Sequence, residues 1–182
     1  MKERIAKLEA EVDALHKLTL YAYERFTFLR PMLADGELLD RIRKESKGIG
    51  FGLLRGWLYW GLVHELSKIC YDGCPKSPSI DGITRKLEDL QLRGELEKKF
   101  VSDHYMKETE ARACFNDAYA EYDRVAKEML ASRSVGSYRT IRDKLTAHNE
   151  LRWSPSGYDF FDLKNVDLEI GDERKLLRRC GS

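Results

Sequence analysis

The most constraining feature of this sequence is an apolar stripe near its beginning. Apolar or small residues recur there at alternating intervals of three and four: Ile5, Leu8, Val12, Leu15, Thr19, Ala22, Phe26 and Leu29. This spacing places every member on one face of an α-helix, because the helix completes a turn in about 3.6 residues. The pattern predicts one long helix from about residue 3 to Arg30, followed by breaks at Pro31 and Asp35-Gly36. We therefore assign residues 1–34 to a long N-terminal helix.

A second apolar segment predicts the centre of a helical bundle. Asp35 is a suitable N-cap for a helix that runs from Glu37 towards Tyr71. The first part of this helix is charged, whereas the later part is apolar on nearly all sides. A helix that is apolar all round is typical of the middle of a bundle. Trp57, Tyr59 and Trp60 lie in this part, and we interpret them as core residues.

Glycines interrupt the same segment at regular intervals. Gly48, Gly52 and Gly56 lie four residues apart, although each glycine costs about 1 kcal/mol relative to alanine in a helix interior. One interpretation is that the row leaves one helix face bare, so that a helix of the same chain or of a second copy packs closely against it. The other is that the helix breaks near residues 48–52. The sequence leaves both open.

The rest of the chain is helical up to its last thirty or so residues. After an evident loop at 72–79, helical spacing returns in residues 80–93, 103–132 and 138–149. Ser154-Pro155-Ser156-Gly157 then predicts a turn, residues 166–170 alternate as in a short strand, and a basic helical stub begins near Asp172. These patterns predict an all-α fold. We expect a single domain over residues 1–182, with a bundle at 35–150 and an irregular tail at 151–182.

Composition and charge exclude several functional classes. The formal net charge is +1, so a binder that relies on overall charge to neutralise nucleic-acid phosphates is excluded. The charged N-terminal residues do not resemble a signal peptide, and four cysteines are too few for a disulfide scaffold. The longest apolar stretch, Ile49–Val63, contains Arg55 and is shorter than the roughly 20 residues that span a membrane. We expect a cytoplasmic protein with reduced thiols.

Familiar motifs for metals are incomplete in this chain. His64-Glu65 begins as in a zinc-protease helix, but Lys68 stands where the second histidine is required. His64 also has no recognised zinc spacing to Cys70 and Cys74. We therefore expect no bound metal and no cofactor.

Residues 137–153, which read SYRTIRDKLTAHNELRW, contain the most informative motif. Arg142 is followed after five residues by His148; Asp143 and Lys144 follow the arginine, and Asn149 follows the histidine. This spacing, late in a helical chain, resembles the Arg-x(4–6)-His motif of the HEPN superfamily. The Arg-Asp-Lys-x-x-Ala-His form, together with the earlier segment WLYWGLVHELS, resembles its abortive-infection, AbiU-type branch.

The resemblance implies a function as well as a HEPN-like helical bundle. Members of this superfamily are commonly metal-independent endoribonucleases that act as homodimers, with the motif helices meeting at the dimer cleft. It implies Arg142 and His148 as the catalytic pair, and Asp143, Lys144 and Asn149 as supporting polar residues. It further implies RNA as substrate, an antitoxin or regulatory protein as a candidate partner, and a role in anti-phage abortive infection or a toxin–antitoxin system. The family usually has a full helix after the motif, whereas the last stub here is only about two turns long.

The implied chemistry suits these side chains. A neutral histidine near pH 7 can take the proton of a ribose 2′-hydroxyl, which confines such an enzyme to RNA. A guanidinium keeps its charge and can hold a phosphate through two hydrogen bonds as negative charge develops.

Helical geometry complicates the pairing. On a straight helix Arg142 and His148 point about 120° apart and lie about 9 Å apart along the axis. His148 shares a face with Ile141 and Leu145 instead, as a core histidine would. Either a distorted helix end or a dimer with shared sites would bring the pair together. A non-catalytic helical bundle that binds a partner protein or a nucleotide therefore remains the alternative function.

Overall fold

The computed structural model describes residues 1–34, 36–43, 48–71, 77–141, 143, 151–154, 157–160 and 172–180. The helices within these ranges are α1 Lys2–Ala34, α2 Gly36–Arg43, α3 Gly48–Cys70, α4 Ile80–Leu87, α5 Leu90–Asp103, α6 Glu108–Leu130, α7 Arg133–Ile141 and α8 Asp172–Cys180. The strands are β1 Leu151–Ser154 and β2 Gly157–Phe160. Helices thus dominate, and the predicted all-α fold class with a short tail is confirmed.

The long N-terminal helix forms over the predicted residues. Its bounds, Lys2–Ala34, include Pro31, which therefore does not end the helix. A proline lacks the N–H that would bond the carbonyl of Thr27. The Thr27 hydroxyl itself donates to the Tyr23 carbonyl at 2.9 Å, one turn earlier. The helix nevertheless continues past Pro31 to Ala34.

Two compact units divide the chain. Unit 1 comprises Met1–Lys17 and Ile69–Ser132, and unit 2 comprises Leu18–Lys68 and Arg133–Ser182. The residues of α1 are therefore shared between the two.

The core of unit 1 joins the start of α1 to α4 and α5. Ile5, Leu8, Ile83 and Leu92 are buried together. Half-buried apolar side chains surround them: Leu15, Leu87, Leu96 and Tyr122. The stripe that predicted α1 thus supplies part of this core, as its periodicity requires.

Side-chain caps fix where α4 and α5 begin. The Ser79 hydroxyl accepts the backbone N–H of Gly82 at 3.1 Å. The Asp89 carboxylate accepts the N–H groups of Gln91 and Leu92 at 2.9 and 3.2 Å. Each cap satisfies donors that the first helical turn leaves without partners.

The core of unit 2 draws on four helices. Its fully or nearly fully buried side chains come from α1, α3, α7 and α8: Ala22, Leu29, Leu62, Val63, Leu66, Val135, Tyr138, Ile141, Leu176 and Leu177. In α3 full burial begins only at Leu62.

The prediction that α3 is buried on all sides is wrong for its first half. Ile49, Leu53, Leu54 and Trp57 are exposed there, so Trp57 is not a core residue. Tyr59 and Trp60 are half-buried and pack edge to face, with ring centroids 5.4 Å apart. An apolar pattern indicates that a helix face is suited to burial, but it does not indicate whether the same chain or a partner covers that face.

The predicted single helix from Glu37 to Tyr71 corresponds to α2 and α3, and residues 44–47 between them lie outside the described residues. The glycine row does not break α3, which starts at Gly48 and continues through Gly52 and Gly56.

The tail contains an antiparallel hairpin around the predicted turn. Leu151 pairs with Phe160, and Ser154 pairs with Gly157. The strand expected at residues 166–170 lies outside the described residues. The predicted basic stub corresponds to α8. None of the described helices is both long enough and apolar enough to cross a membrane.

Candidate functional site

Helix α7 leads directly into the Arg–His motif. Val135, Tyr138 and Ile141 recur at intervals of three and are buried, which anchors one face of this helix in unit 2. Arg139 and Thr140 are exposed on the other side. The described part of this helix reaches Ile141, the residue immediately before Arg142, so the segment that leads into the motif is tied to a packed core.

Most of the predicted site lies beyond this point. Arg142, Lys144, His148 and Asn149 are outside the described residues. Their roles therefore remain predictions.

Asp143 is the one predicted site residue that the structure describes. It is half-buried, and its Oδ2 lies 3.9 Å from Nε of Arg139, one turn earlier. Such a loose and partly exposed ion pair contributes less than about 1 kcal/mol. The Arg139 guanidinium is more than half exposed, so it remains accessible to an anion from solvent.

The backbone departs from straight α-helical geometry at the same place. Asp143 lies in a wider, π-type turn, which is frequent at functional sites. The Thr140 hydroxyl donates a hydrogen bond to the carbonyl of Gly136, four residues earlier in the sequence, at 3.0 Å. Bonds of this kind often bend helices. The local geometry at Asp143 is therefore not that of a straight α-helix.

A buried acidic cluster joins α3 to α8 within unit 2. Asp172 and Glu173 are almost completely buried in the first turn of α8. The Tyr59 hydroxyl donates to the Glu173 carboxylate, and Lys175 Nζ lies 3.1 Å from Asp172 Oδ1. Burial, followed by the charges of Glu173 and Asp172, raises the pKa of Tyr59 well above its usual value. Tyr59 is therefore a hydrogen-bond donor at neutral pH and not a base.

A second polar pair joins α1 to α3. Arg25 Nη2 lies 2.8 Å from Glu65 Oε1, and both side chains are partly buried. Arg25 passes over Gly61, where a Cβ would lie only 1.8 Å from its Nη1. Burial raises the pKa of the Glu65 carboxyl, and the guanidinium opposes that rise. The close approach of Arg25 thus explains why position 61 is a glycine, which the sequence spacing alone did not reveal.

Unit 1 carries an aromatic groove that no motif in the sequence indicated. It has a volume of about 390 Å³, and its aromatic lining comes from α5, α6 and the residue after α5: Phe100, His104, Phe115, Tyr119 and Tyr122. The His104 ring stacks on Phe100 with centroids 3.9 Å apart, and its Nδ1 lies 2.7 Å from the Phe100 carbonyl. Lys99, at the rim, pairs with the carboxylates of Glu9 and Asp103. This charge arrangement does not favour a phosphate.

No group of three or more His, Cys, Asp or Glu side chains in the described part of the chain is placed to hold a metal ion. His64 is half-buried within α3. His148 lies outside the described residues.

Comparison with protein-family models identifies a family over nearly the whole chain. The model of the HEPN_AbiU2 family, described as AbiU2, matches residues 5–182. No curated protein and no solved structure matches the chain.

Proposed function

The chain belongs to the AbiU2 family of HEPN-type abortive-infection proteins, and from that premise we propose that it is a metal-independent endoribonuclease. The observation that carries the proposal is the Arg142-x(5)-His148 spacing inside the matched residues. Its place of action is the cytoplasm, and its role is to cleave RNA during abortive infection or as the toxin of a toxin–antitoxin pair. An antitoxin or another regulatory protein then restrains it.

The proposed reaction is a transesterification. Neutral His148 takes the proton of the 2′-hydroxyl, and the 2′-oxygen attacks the adjacent phosphorus. Arg142 holds the phosphate while negative charge develops on its oxygens. The bond from phosphorus to the 5′-oxygen breaks, and that oxygen takes a proton from solvent. The products are a 2′,3′-cyclic phosphate and a 5′-hydroxyl, and no step calls for a metal ion.

The described residues next to the motif support this assignment. The buried face of α7 fixes the chain up to Ile141, and catalytic groups need such rigid support. Arg139 adds an exposed guanidinium three residues before Arg142. Asp143, Lys144 and Asn149 are proposed as supporting polar groups, with Asp143 already paired loosely to Arg139.

The experiment is incubation of purified protein with total RNA, with and without a chelator. We expect cleavage in both conditions, with 2′,3′-cyclic phosphate ends, and no cleavage by the His148→Ala and Arg142→Ala variants. His104→Ala is the matched control, because His104 is exposed in unit 1, and this variant should cleave normally. Full activity in His148→Ala, or activity that the chelator abolishes, would refute the proposal.

A shared active site is tested by mixing two inactive variants. Arg142→Ala and His148→Ala proteins are unfolded together in equal amounts and refolded. If each site takes its arginine from one copy and its histidine from the other, about half of the dimers are mixed and each has one intact site of two. Activity should then return to about a quarter of the wild-type value. No recovery would place both groups of each site in one chain.

The alternative is a non-catalytic bundle that binds a partner protein or a nucleotide. The observation that favours it is the aromatic groove of unit 1, about 390 Å³ in volume. Expression in a host distinguishes the two functions, because an unrestrained ribonuclease slows growth and a binding module does not. Growth that is equal for wild type and His148→Ala would favour the binding module.

A further inference from the structure

The first half of α3 exposes a ridge of large apolar side chains. Ile49, Leu53 and Trp57 follow one another at intervals of four and are 80, 57 and 73% exposed. Leu54, beside them, is 46% exposed. Residues four apart form one continuous ridge on a helix. Contiguous apolar surface of this kind is typical of an interaction site.

A bare trough runs alongside the ridge. Gly52 and Gly56 form the neighbouring row of positions, again four residues apart. At both glycines an added Cβ would meet no atom of the described residues within 4 Å. The close-packing interpretation of these glycines is therefore not satisfied by the described part of this chain.

The ridge and the trough are complementary to each other. When two helices pack, the ridges of residues four apart on one helix fit the grooves of the other, at a crossing angle of about −50°. A row of glycines is the deepest groove that a helix can offer. Under a two-fold axis the ridge of each copy enters the trough of the other, so one helix face supplies both halves of the contact.

We propose that the first half of α3, the face formed by Ile49, Gly52, Leu53, Gly56 and Trp57, is the surface through which two copies of this chain associate. The proposal names the contact for the homodimer that the proposed function invokes, and to that extent it rests on that function. The association can be tested without any catalytic activity, because sedimentation equilibrium measures mass only.

Area and charge favour a second copy over another partner. The exposed fractions correspond to roughly 500 Å² of apolar surface per copy, and burying it twice gives about 1,000 Å², the lower limit for a specific interface. Residues 49–57 contain one charged side chain, Arg55, which is half-buried and lies away from the ridge. Two identical faces therefore meet without like charges opposing each other.

Sedimentation equilibrium of the full chain tests the proposal. Wild type should give twice the chain mass of 21.2 kDa at micromolar concentration. Leu53→Lys should raise the dissociation constant by about tenfold or more, because it places a charge in the middle of the contact. Leu90→Lys is the matched control: Leu90 is 69% exposed in unit 1, and its replacement should leave the dissociation constant unchanged.

Gly52→Leu provides a second variant, which tests the contact without introducing a charge. It fills the trough, and because an added Cβ at this position meets no described atom within 4 Å, we expect the helix signal in circular dichroism to be unchanged. We expect the dissociation constant to rise by about tenfold or more, whereas Gly94→Leu, at an equally open position in α5, should have no effect.

A wild-type monomer throughout the micromolar range would overturn the proposal and assign the face to another occupant. Dimers of Leu53→Lys and Gly52→Leu as tight as wild type would overturn it in favour of another interface. A wild-type protein that is dimeric but does not cleave RNA would refute the proposed ribonuclease and would still support this interface.

Discussion

Replacing Gly61 by alanine should destabilise unit 2, although alanine is the better helix former. The new Cβ would lie 1.8 Å from Nη1 and 2.8 Å from Cζ of Arg25, so the guanidinium must move away. We expect this movement to break its 2.8 Å ion pair with Glu65. The other carboxylate oxygen of Glu65 is already buried without a hydrogen-bond partner among the described residues. Alanine thus leaves a partly buried carboxylate without compensation.

Two opposing terms set the magnitude. Helix propensity favours alanine by about 1 kcal/mol. A hydrogen bond to a charged group contributes about 1.5–3 kcal/mol, and the partial exposure of both side chains places this pair at the lower end. We therefore expect the free energy of unfolding to fall by about 0.5 kcal/mol at pH 7.

The pH dependence identifies the cause. Burial holds the pKa of Glu65 above the ordinary 4.5, and Arg25 partly opposes this. A carboxyl whose pKa is raised in the folded protein stabilises it at low pH and loses that contribution as pH rises through the folded pKa. Without Arg25 the pKa rises further, so the difference between variant and wild type should shrink as pH falls from 7 to 4.

Urea unfolding at several pH values is the assay. Gly136→Ala in α7 is the matched control, since its Cβ meets no described atom within 4 Å and it lies in the same unit; it should stabilise the protein by up to about 1 kcal/mol at every pH. A Gly61→Ala variant that is stabilised to the same extent, or whose loss does not change with pH, would refute the role assigned to Arg25 and Glu65.

Three further substitutions probe other contacts. Tyr59→Phe removes the hydroxyl that donates to buried Glu173, and it should cost about 1–3 kcal/mol in urea unfolding; an unchanged midpoint would mean that the hydroxyl contributes nothing. Ser79→Ala removes the N-cap of α4 and should lower stability by about 1 kcal/mol, whereas a Tm equal to that of wild type would contradict the capping role. Leu92→Ala in the core of unit 1 should cost about 2–5 kcal/mol, against nearly nothing for exposed Leu90→Ala; equal losses in the two would show that burial is misassigned.

Local periodicity predicted the helices because it depends only on neighbours in the sequence. The stripe from Ile5 to Leu29 predicted α1, and Ser154–Gly157 predicted the turn of the hairpin. The same pattern misplaced Trp57, since an apolar helix face looks identical in sequence whether its cover is the same chain or another one. Pattern reasoning therefore gives the elements better than it gives their environment.

The polar contacts were not predictable in the same way. Tyr59 and Glu173 are separated by more than a hundred residues, and so no spacing rule connects them. Arg25 and Glu65 meet across two helices for the same reason. The Arg142–His148 assignment rests on the motif and the family, and the described residues reach only its edge, at Ile141 and Asp143.

The discontinuous make-up of unit 2 has a consequence for how the protein is made. This unit combines Leu18–Lys68 with Arg133–Ser182, whereas residues 69–132 belong to unit 1. Chains emerge from the ribosome N-terminus first and fold as their segments become available. Tyr59 is therefore synthesised long before its partner Glu173. Leu62 and Leu66 are likewise made before the core residues Leu176 and Leu177 of the same unit. The unit that leads into the Arg–His motif is therefore completed only after residues 133–177 have been made, so a nascent chain that ends before them does not yet have it.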